Sequence, residues 1–289
     1  MSEPVLTGAE GFTDAATFAF ADRAAGFFGL ARAGVASGAE GLQGSALAVL
    51  FAGREPVGVL AEGGTPLDAG ADWDELRLAG LVVRTLEPHA RWHVTLEAPD
   101  GAGFELEFAA ASPPAELAEA HAAARLGGMA GHERLCRVTG TAAGRPVDCL
   151  GQRGRTWGTA DWDRIALTRS LGAWLEEGPS VAVSAVRPAG AESHADEATW
   201  GALLDAGGPV TIADPRVSTT YDADGHQRRA GLELWMGGED DYARRGAGQV
   251  LCGSSVELGQ LRLDCAFFAW QLDGREGVGR YDVLRRAEG

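Results

Sequence analysis

Short runs in which apolar and polar residues alternate dominate the chain, and they predict β-strands. In residues 104–108, Phe104, Leu106 and Phe108 face one way while Glu105 and Glu107 face the other, the period of a half-buried strand. Apolar runs at 47–51 and 57–60 flank Ala52-Gly53-Arg54, a hairpin signal. Strands follow at 81–86 and 91–97, and Pro99-Asp100-Gly101 supplies the turn before 104–108. In the second half the pattern predicts strands at 135–142, 145–151, 165–175, 181–187, 217–221, 230–236, 250–256, 261–272 and 277–284. Ala143-Gly144 and Asp222-Ala223-Asp224-Gly225 read as tight turns between paired strands.

Two segments break this texture. Ser112-Pro113-Pro114 precedes a run of Ala, Glu and Leu that Gly127-Gly128 closes, the start and stop signals of a helix. A second short helix is predicted over 196–205, capped by Ser193 and ended by Gly207-Gly208. The expected architecture is therefore all-β: two antiparallel β-barrel domains joined by a short helix. The expected boundaries are 1–111 for the first domain, 112–130 for the helical connector and 131–289 for the second domain.

Composition narrows the function. The formal charge is −16, with 41 acids against 25 bases, so nucleic acid and anionic membrane surfaces are repelled. Every base is arginine, which removes any mechanism that needs a lysine Schiff base. The first residues, MSEPVLTGAEG, have neither a basic nor an apolar region of a signal peptide, and no apolar run is long enough to span a bilayer. A cytoplasmic protein without membrane insertion, monomeric or homodimeric, is expected. Cys136, Cys149, Cys252 and Cys265 form no CxxC pair and are expected to be small buried hydrophobes. No phosphate-binding, dinucleotide, nucleophile-elbow or zinc motif is present, so no cofactor and no metal are expected.

What remains is an inventory of acids, arginines and aromatics. On residues 232–236, Leu232, Leu234 and Met236 point one way and Glu233 and Trp235 the other. A carboxyl beside an indole in an apolar cavity has a raised pKa and can donate a proton. The competing reading is a cross-strand pair with Arg216, which a turn at Asp224-Gly225 places opposite Glu233. Phe268 and Trp270 share a face and can line a cavity or pack a core. Tyr221 and His226 flank the Asp-Gly turn, near a barrel mouth. The segment GQRGRTWGTADWD packs Arg153, Arg155, Trp157, Asp161, Trp162 and Asp163 together. Its arginines need acidic partners if buried, which Asp161 and Asp163 can supply, and stacked Trp–Arg pairs can close a barrel end.

CLGQRGRTWGTADWDRI resembles the GxGQRDHSWGxRDW signature of the lipocalin-like family that includes kievitone hydratase, and more distantly carotenoid 1,2-hydratase and AttH-like proteins. ERLCRVTGTAAGRPVDCLG, AFFAWQLDGREGVGRYDVL and FAFADRAAGFFGLARAGV extend the likeness over most of the chain. The resemblance implies two lipocalin-like barrels and a cofactor-free reaction on a bulky hydrophobic molecule. Gln152, Arg153, Trp157, Gly158, Asp161 and Trp162 match the signature, but Gly154, Arg155 and Thr156 replace its Asp-His-Ser. That loss disfavours hydration by the family's route. It favours a cyclase that folds an isoprenoid or polyketide-type substrate, or a carrier of a hydrophobic small molecule. The expected site has Asp161, Glu233 and Arg153 as catalytic groups. Trp157, Trp162, Arg155, Tyr221, Trp235, Phe268 and Trp270 are its expected substrate-binding residues.

Overall fold

The computed structural model describes residues 3–98, 101–238 and 242–287, so Pro99 and Asp100 of one expected turn lie outside the described residues. The chain divides into two compact units, one of Met1–Ala111 with Ala130–Ala160 and one of Ser112–Met129 with Asp161–Gly289. In the first unit lie β1 (Thr13–Asp22), β2 (Phe27–Gly38), β3 (Gly41–Ala52), β4 (Glu55–Leu67), β5 (Glu75–Leu78), β6 (Leu81–Glu87), β7 (Arg91–Leu96) and β8 (Phe104–Ala110). After β9 (Ala115–Leu117) and helix α1 (Ala122–Gly127) come β10 (Met129–Ala142) and β11 (Arg145–Gly158). The second unit continues with β12 (Ile165–Ala173), β13 (Ser180–Pro188), a 3-10 turn at His194–Asp196, β14 (Ala198–Leu204) and β15 (Val210–Thr211). It ends with β16 (Asp214–Tyr221), β17 (Gln227–Trp235), β18 (Arg244–Leu258), β19 (Leu261–Leu272) and β20 (Arg275–Arg286).

The first sheet runs β4-β3-β2-β1-β11-β10-β8-β7-β6-β5 and curls into a nearly closed barrel. The second has nine strands in the order β15-β14-β13-β12-β20-β19-β18-β17-β16 and forms a half-barrel. Both are meanders in which the last strand returns to pair with the first. The return hairpins match in detail. Ala143 and Gly144 turn β10 into β11 with φ of 46° and 72°, and Asp273 and Gly274 turn β19 into β20 with φ of 49° and 80°. The seventh residue past each turn glycine then meets the first strand, Gly151 opposite Phe20 and Tyr281 opposite Leu171. One plan is thus used twice.

This pairing moves the expected boundary. The hairpin of β10 and β11, which the sequence assigns to the second domain, completes the first barrel by pairing β11 with β1 and β10 with β8. The helix expected after Ser112 is also shorter. Pro113 and Pro114 hold an extended backbone, Ala115 is buried in β9, and α1 starts only after His121, whose Nδ1 accepts from the Ala123 N–H at 3.3 Å. Gly128, at φ 65°, ends it. The second expected helix is mostly strand. Ser193 caps only the 3-10 turn, and residues 198–204 pair with β13, because burying Trp200, Ala202, Leu203 and Leu204 in a sheet outweighs local helix signals. The four cysteines are buried and free.

Alternation fixes what each sheet buries. In the first unit Ala16, Phe18 and Phe20 of β1 join Trp73, Trp92 and Phe108 in one apolar core. In the second, Leu171, Val183, Leu232, Ala266, Phe268, Trp270, Tyr281 and Val283 form the other. Among the described residues no helix is long and apolar enough to cross a membrane.

Candidate functional site

Arg153 and Arg155 stand opposite Phe18 and Ala16, so both point into the first barrel. Burial of two guanidiniums demands carboxylates, and these come from the N-terminal segment and β1. Arg153 Nη2 donates to Glu3 Oε2 at 2.6 Å, and Arg155 grips Asp14 through Nε at 2.9 Å and Nη2 at 2.7 Å. Both acids are fully buried. Glu3 also accepts from the His89 N–H at 2.7 Å and Trp92 Nε1 at 3.2 Å, and Asp14 from Trp73 Nε1 at 3.0 Å. Arg153 lies 4.4 Å from the Trp92 ring centre and Arg155 5.8 Å from that of Trp73. Burial pushes the Glu3 carboxyl up, but Arg153 and the donated hydrogen bonds outweigh it and leave the group below the usual carboxylate range. Burial, then Arg153 and Arg134, drives His132 down to about 3, so its ring is neutral where Arg153 Nη1 meets Nε2 at 2.9 Å. This end of the barrel is closed by its own side chains.

The acids expected to pair with these arginines are elsewhere. Asp161 is exposed and accepts from the Asp163 N–H at 3.0 Å, and Asp163 pairs with Arg286. Trp157 is half-buried, edge-on to His132 at 6.0 Å, and Trp162 is half-buried beyond the end of β11. Glu233 and Trp235 lie on the face of β17 turned away from the core that Leu232 and Leu234 enter. The expected pairing of Glu233 opposite Arg216 is present, and Arg245 approaches from the other side at 3.7 Å. The cavity expected around Glu233 is not: its side chain is 44 % exposed, and Trp235 packs under Arg216 instead. Tyr221 is exposed at the end of β16.

Phe268 and Trp270 do face a common interior, that of the half-barrel. They stack at 5.5 Å with 23° between ring planes, and Phe268 also meets Tyr281 at 5.5 Å. Trp270 lies flat across Gly248, its cross-strand partner, where an added Cβ would fall 2.6 Å from the ring. Its indole N–H is buried and has no hydrogen-bond partner among the described residues.

The sequence reading missed the polar group beside these rings. Arg169 shares the core face with Leu171 and Ala173, and its Nη1 donates to the Tyr281 hydroxyl at 3.3 Å, to Thr219 Oγ1 at 3.3 Å and to the Val217 carbonyl at 3.2 Å. Thr219 and Tyr281 also share a short hydrogen bond. Glu197 holds Arg169 on one side and Arg187 on the other, the latter at 2.6 Å. Burial raises the Tyr281 pKa despite Arg169, so the phenol stays protonated at neutral pH. Leu167, Arg187 and Thr219 are half-buried and mark the end of this face nearest solvent. One signal was legible: an arginine at an inward position of the β12 alternation. Its partners Glu197, Thr219 and Tyr281 are scattered along the chain and only the fold assembles them.

No curated protein matches the chain. Solved structures do, over nearly its whole length. An AttH-like protein from Nitrosomonas europaea is 12% identical, with 98% of this chain and 95% of that one covered at a TM-score of 0.64. CghA, solved with Sch210972, is 12% identical over 100% of this chain and 96% of that one at 0.58. Kievitone hydratase from Nectria haematococca is 8% identical over 99% and 97% at 0.62. At these identities the likenesses establish a shared fold. The model of the domain of unknown function DUF7064 matches residues 6–287, and the chain belongs to that family.

Proposed function

We propose that the chain is a cofactor-independent enzyme of the lyase or isomerase type. In this reading it is a cyclase, or a hydratase-like catalyst, for a hydrophobic isoprenoid or polyketide-type molecule of secondary metabolism. The observation that carries the proposal is the Tyr281 hydroxyl, set against Arg169 and Thr219 on a face otherwise built of Phe268, Trp270 and aliphatic side chains. The full-length likeness to a hydratase, and to CghA with its bound small molecule, supports it.

The chemistry follows from that arrangement. A protonated phenol backed by a guanidinium is a fixed donor for a substrate oxygen that gains negative charge as bonds rearrange. Flat rings hold a flexible chain folded, which lowers the entropic barrier to ring closure. Their faces also stabilise a developing cation. Arg153 and Arg155 then serve the fold, and neither Asp161 nor Glu233 takes part. The partner is the small molecule alone, bound by a cytoplasmic monomer or homodimer that inserts in no membrane and binds no nucleic acid.

The test begins with native mass spectrometry of the protein from its own host and organic extraction of what it carries. Incubating the recovered compound with fresh protein should give a new product without added cofactor. Tyr281→Phe and Arg169→Lys should each slow that conversion by about tenfold or more. Full conversion by both variants would remove the assignment. A carrier of the same ligand class is the second reading, favoured by the exposure of Asp161 and Glu233, which keeps both expected acids off the core face. It predicts a ligand bound tightly and recovered unchanged.

A further inference from the structure

Toward the end of the same half-barrel a different set of side chains converges. Asp264 stands opposite Val283, whose side chain is in the core, and Ser255 stands opposite Asp264, so all three share the inward face. The turn between β16 and β17 brings His226 onto this group. Its Nε2 lies 3.0 Å from Ser255 Oγ, and its Nδ1 lies 3.6 Å from Asp222 Oδ1. The turn itself fixes Asp222, whose Oδ1 accepts the backbone N–H groups of His226 at 2.9 Å and Asp224 at 3.1 Å. Arg262 Nη2 reaches Ser255 Oγ at 3.0 Å and His226 Nε2 at 3.1 Å. Ser255 is half-buried and the His226 side chain is 40 % exposed, so a reagent from solvent can reach both.

We propose that Asp222, His226 and Ser255 form a hydrolytic triad that cleaves carboxylic esters of hydrophobic acids. A nucleophile hydroxyl, a histidine nitrogen within hydrogen-bond reach of it and a carboxylate at the far ring nitrogen are the parts such chemistry needs, whatever fold carries them. The donor from Arg262 assigns the lone pair to Nε2 and the proton to Nδ1, on the side of Asp222. Ser255 Oγ also lies 2.5 Å from Asp264 Oδ1, and one hydroxyl has one proton to give. Arg262 at 2.8 Å and Arg285 at 2.6 Å bind Asp264, the resting acceptor. Turning the O–H bond about Cβ–Oγ aims the same proton at His226 Nε2, which accepts it once Arg262 Nη2 swings off that nitrogen's single lone pair.

The reaction balances within these groups, an ester and water. Ser255 Oγ bonds to the ester carbonyl carbon while its proton passes to His226 Nε2. The carbon–oxygen bond to the alcohol breaks, and the alcohol leaves with that proton. Water then attacks the acyl-serine, gives its proton to Nε2, and the acid departs as Ser255 recovers it. Arg262 is the donor nearest the oxyanion. Ala266 and Phe268 continue the face inward from Asp264, which suits an apolar acyl chain.

An alkyl fluorophosphonate and p-nitrophenyl esters of graded chain length test this on the full chain. We expect a single adduct, mapped to Ser255 by peptide mass, and faster hydrolysis of octanoate than of acetate. Ser255→Ala should abolish the adduct and lower ester turnover by about a hundredfold or more. His226→Gln should do nearly the same and Asp222→Asn about tenfold, while Ser254→Ala keeps both activities. Circular dichroism melts identify any variant that does not fold, and Ser255→Thr, which keeps the hydroxyl, then stands in. No adduct on folded wild-type protein, an adduct elsewhere, or undiminished turnover by Ser255→Ala would overturn the proposal. Conversion of the Tyr281-dependent substrate is read separately, so the two proposals fail independently.

Discussion

The two sheets repeat one plan, yet their polar ends are finished differently. In the first barrel the Glu3 carboxylate lies on Arg153, and Asp14 is clamped by Arg155; both acids are fully buried. In the half-barrel the residue at the position of Arg155 is Arg285, again bound to a buried acid, Asp264. No counterpart of Glu3 enters there. The segment that precedes β12 keeps Asp161 and Asp163 exposed, and the acid that meets Arg169 comes from within the unit, Glu197 beside β14. Closure of the first barrel ties most guanidinium donors of Arg153 and Arg155 to Glu3, Asp14, His132 and the Pro4 carbonyl, and leaves Arg153 Nε without a partner among the described residues. The second buries its phenol, Tyr281, fully, and keeps the Ser255 and Thr219 hydroxyls half-buried and the His226 side chain 40 % exposed. The repeated plan thus carries a buried, ion-paired polar end in one unit and a partly exposed one in the other.

Breaking the seal should produce the largest effect. Glu3→Ala leaves Arg153 buried against a neutral cavity, and loss of one member of a buried pair costs about 3–5 kcal/mol. A urea titration should show that loss as a lower midpoint, with Glu75→Gln, an exposed acid, as the control. A Glu3→Ala midpoint no lower than the control's would mean that the N-terminal segment does not close the barrel. The same contact has a pH signature. The Glu3 pKa is depressed on folding, so its contribution is present above the ordinary value of 4.5 and is lost as pH falls through the folded value.

His132 sharpens the comparison from the basic side. Its folded pKa of about 3 lies below the ordinary value of 6.5, so between them the unfolded chain binds the proton and the folded one does not. Stability therefore falls as pH drops from 6.5 toward 3, by up to about 1.4 kcal/mol per pH unit. His132→Asn should flatten that slope in denaturation midpoints taken at successive pH values. An unchanged slope would show that the ring is not held neutral by burial and its arginine neighbours.

Gly248 probes the half-barrel's wall. A Cβ there would fall 2.6 Å from Trp270, and overpacking of this kind costs about 1–3 kcal/mol. Trp270→Phe removes the ring edge that clashes and an indole N–H that is already unpartnered, so alone it should cost less than a usual core truncation. In the double variant most of the Gly248→Ala penalty should vanish, a coupling that a double-mutant cycle reads directly. Additive losses would show that the ring does not lie on Gly248.

Much of this was legible in the sequence, for physical reasons that also mark where legibility ends. Alternation located strands because one face of each is buried, and Asp222–Gly225 fixed the register that sets Arg216 opposite Glu233. Local signals met sheet pairing at both expected helices: the first is shortened to Ala122–Gly127 because Ala115 enters β9, and the second gives way to a strand over 198–204. The boundary at 131 failed because nothing local reveals that β11 returns to β1. Arg153 and Arg155 read correctly as arginines needing carboxylates, but the acids nearby in sequence were chosen, whereas Glu3 and Asp14 reach them across the sheet and from the chain start. Tyr281, Arg169 and Thr219 carry no shared motif: the closure of β20 onto β12 joins the first two, and Thr219 reaches them from β16.

Glu233 supplies the smallest effect and a sharp control on the comparison. The difference between the two ends concerns inward faces alone, and Glu233 looks outward between Arg216 and Arg245 with its side chain 44 % exposed. Exposed ion pairs of this geometry are worth about 0–1 kcal/mol, because solvent screens them and ordering long side chains costs entropy. Glu233→Gln should therefore move the urea midpoint by about 0.5 kcal/mol or less, and less still in high salt. It should leave both the fluorophosphonate adduct and the Tyr281-dependent conversion at wild-type levels. A loss of either activity in a variant of wild-type stability would place the working face of the half-barrel on its outside, and the division between a sealed end and a reactive one would fall with it.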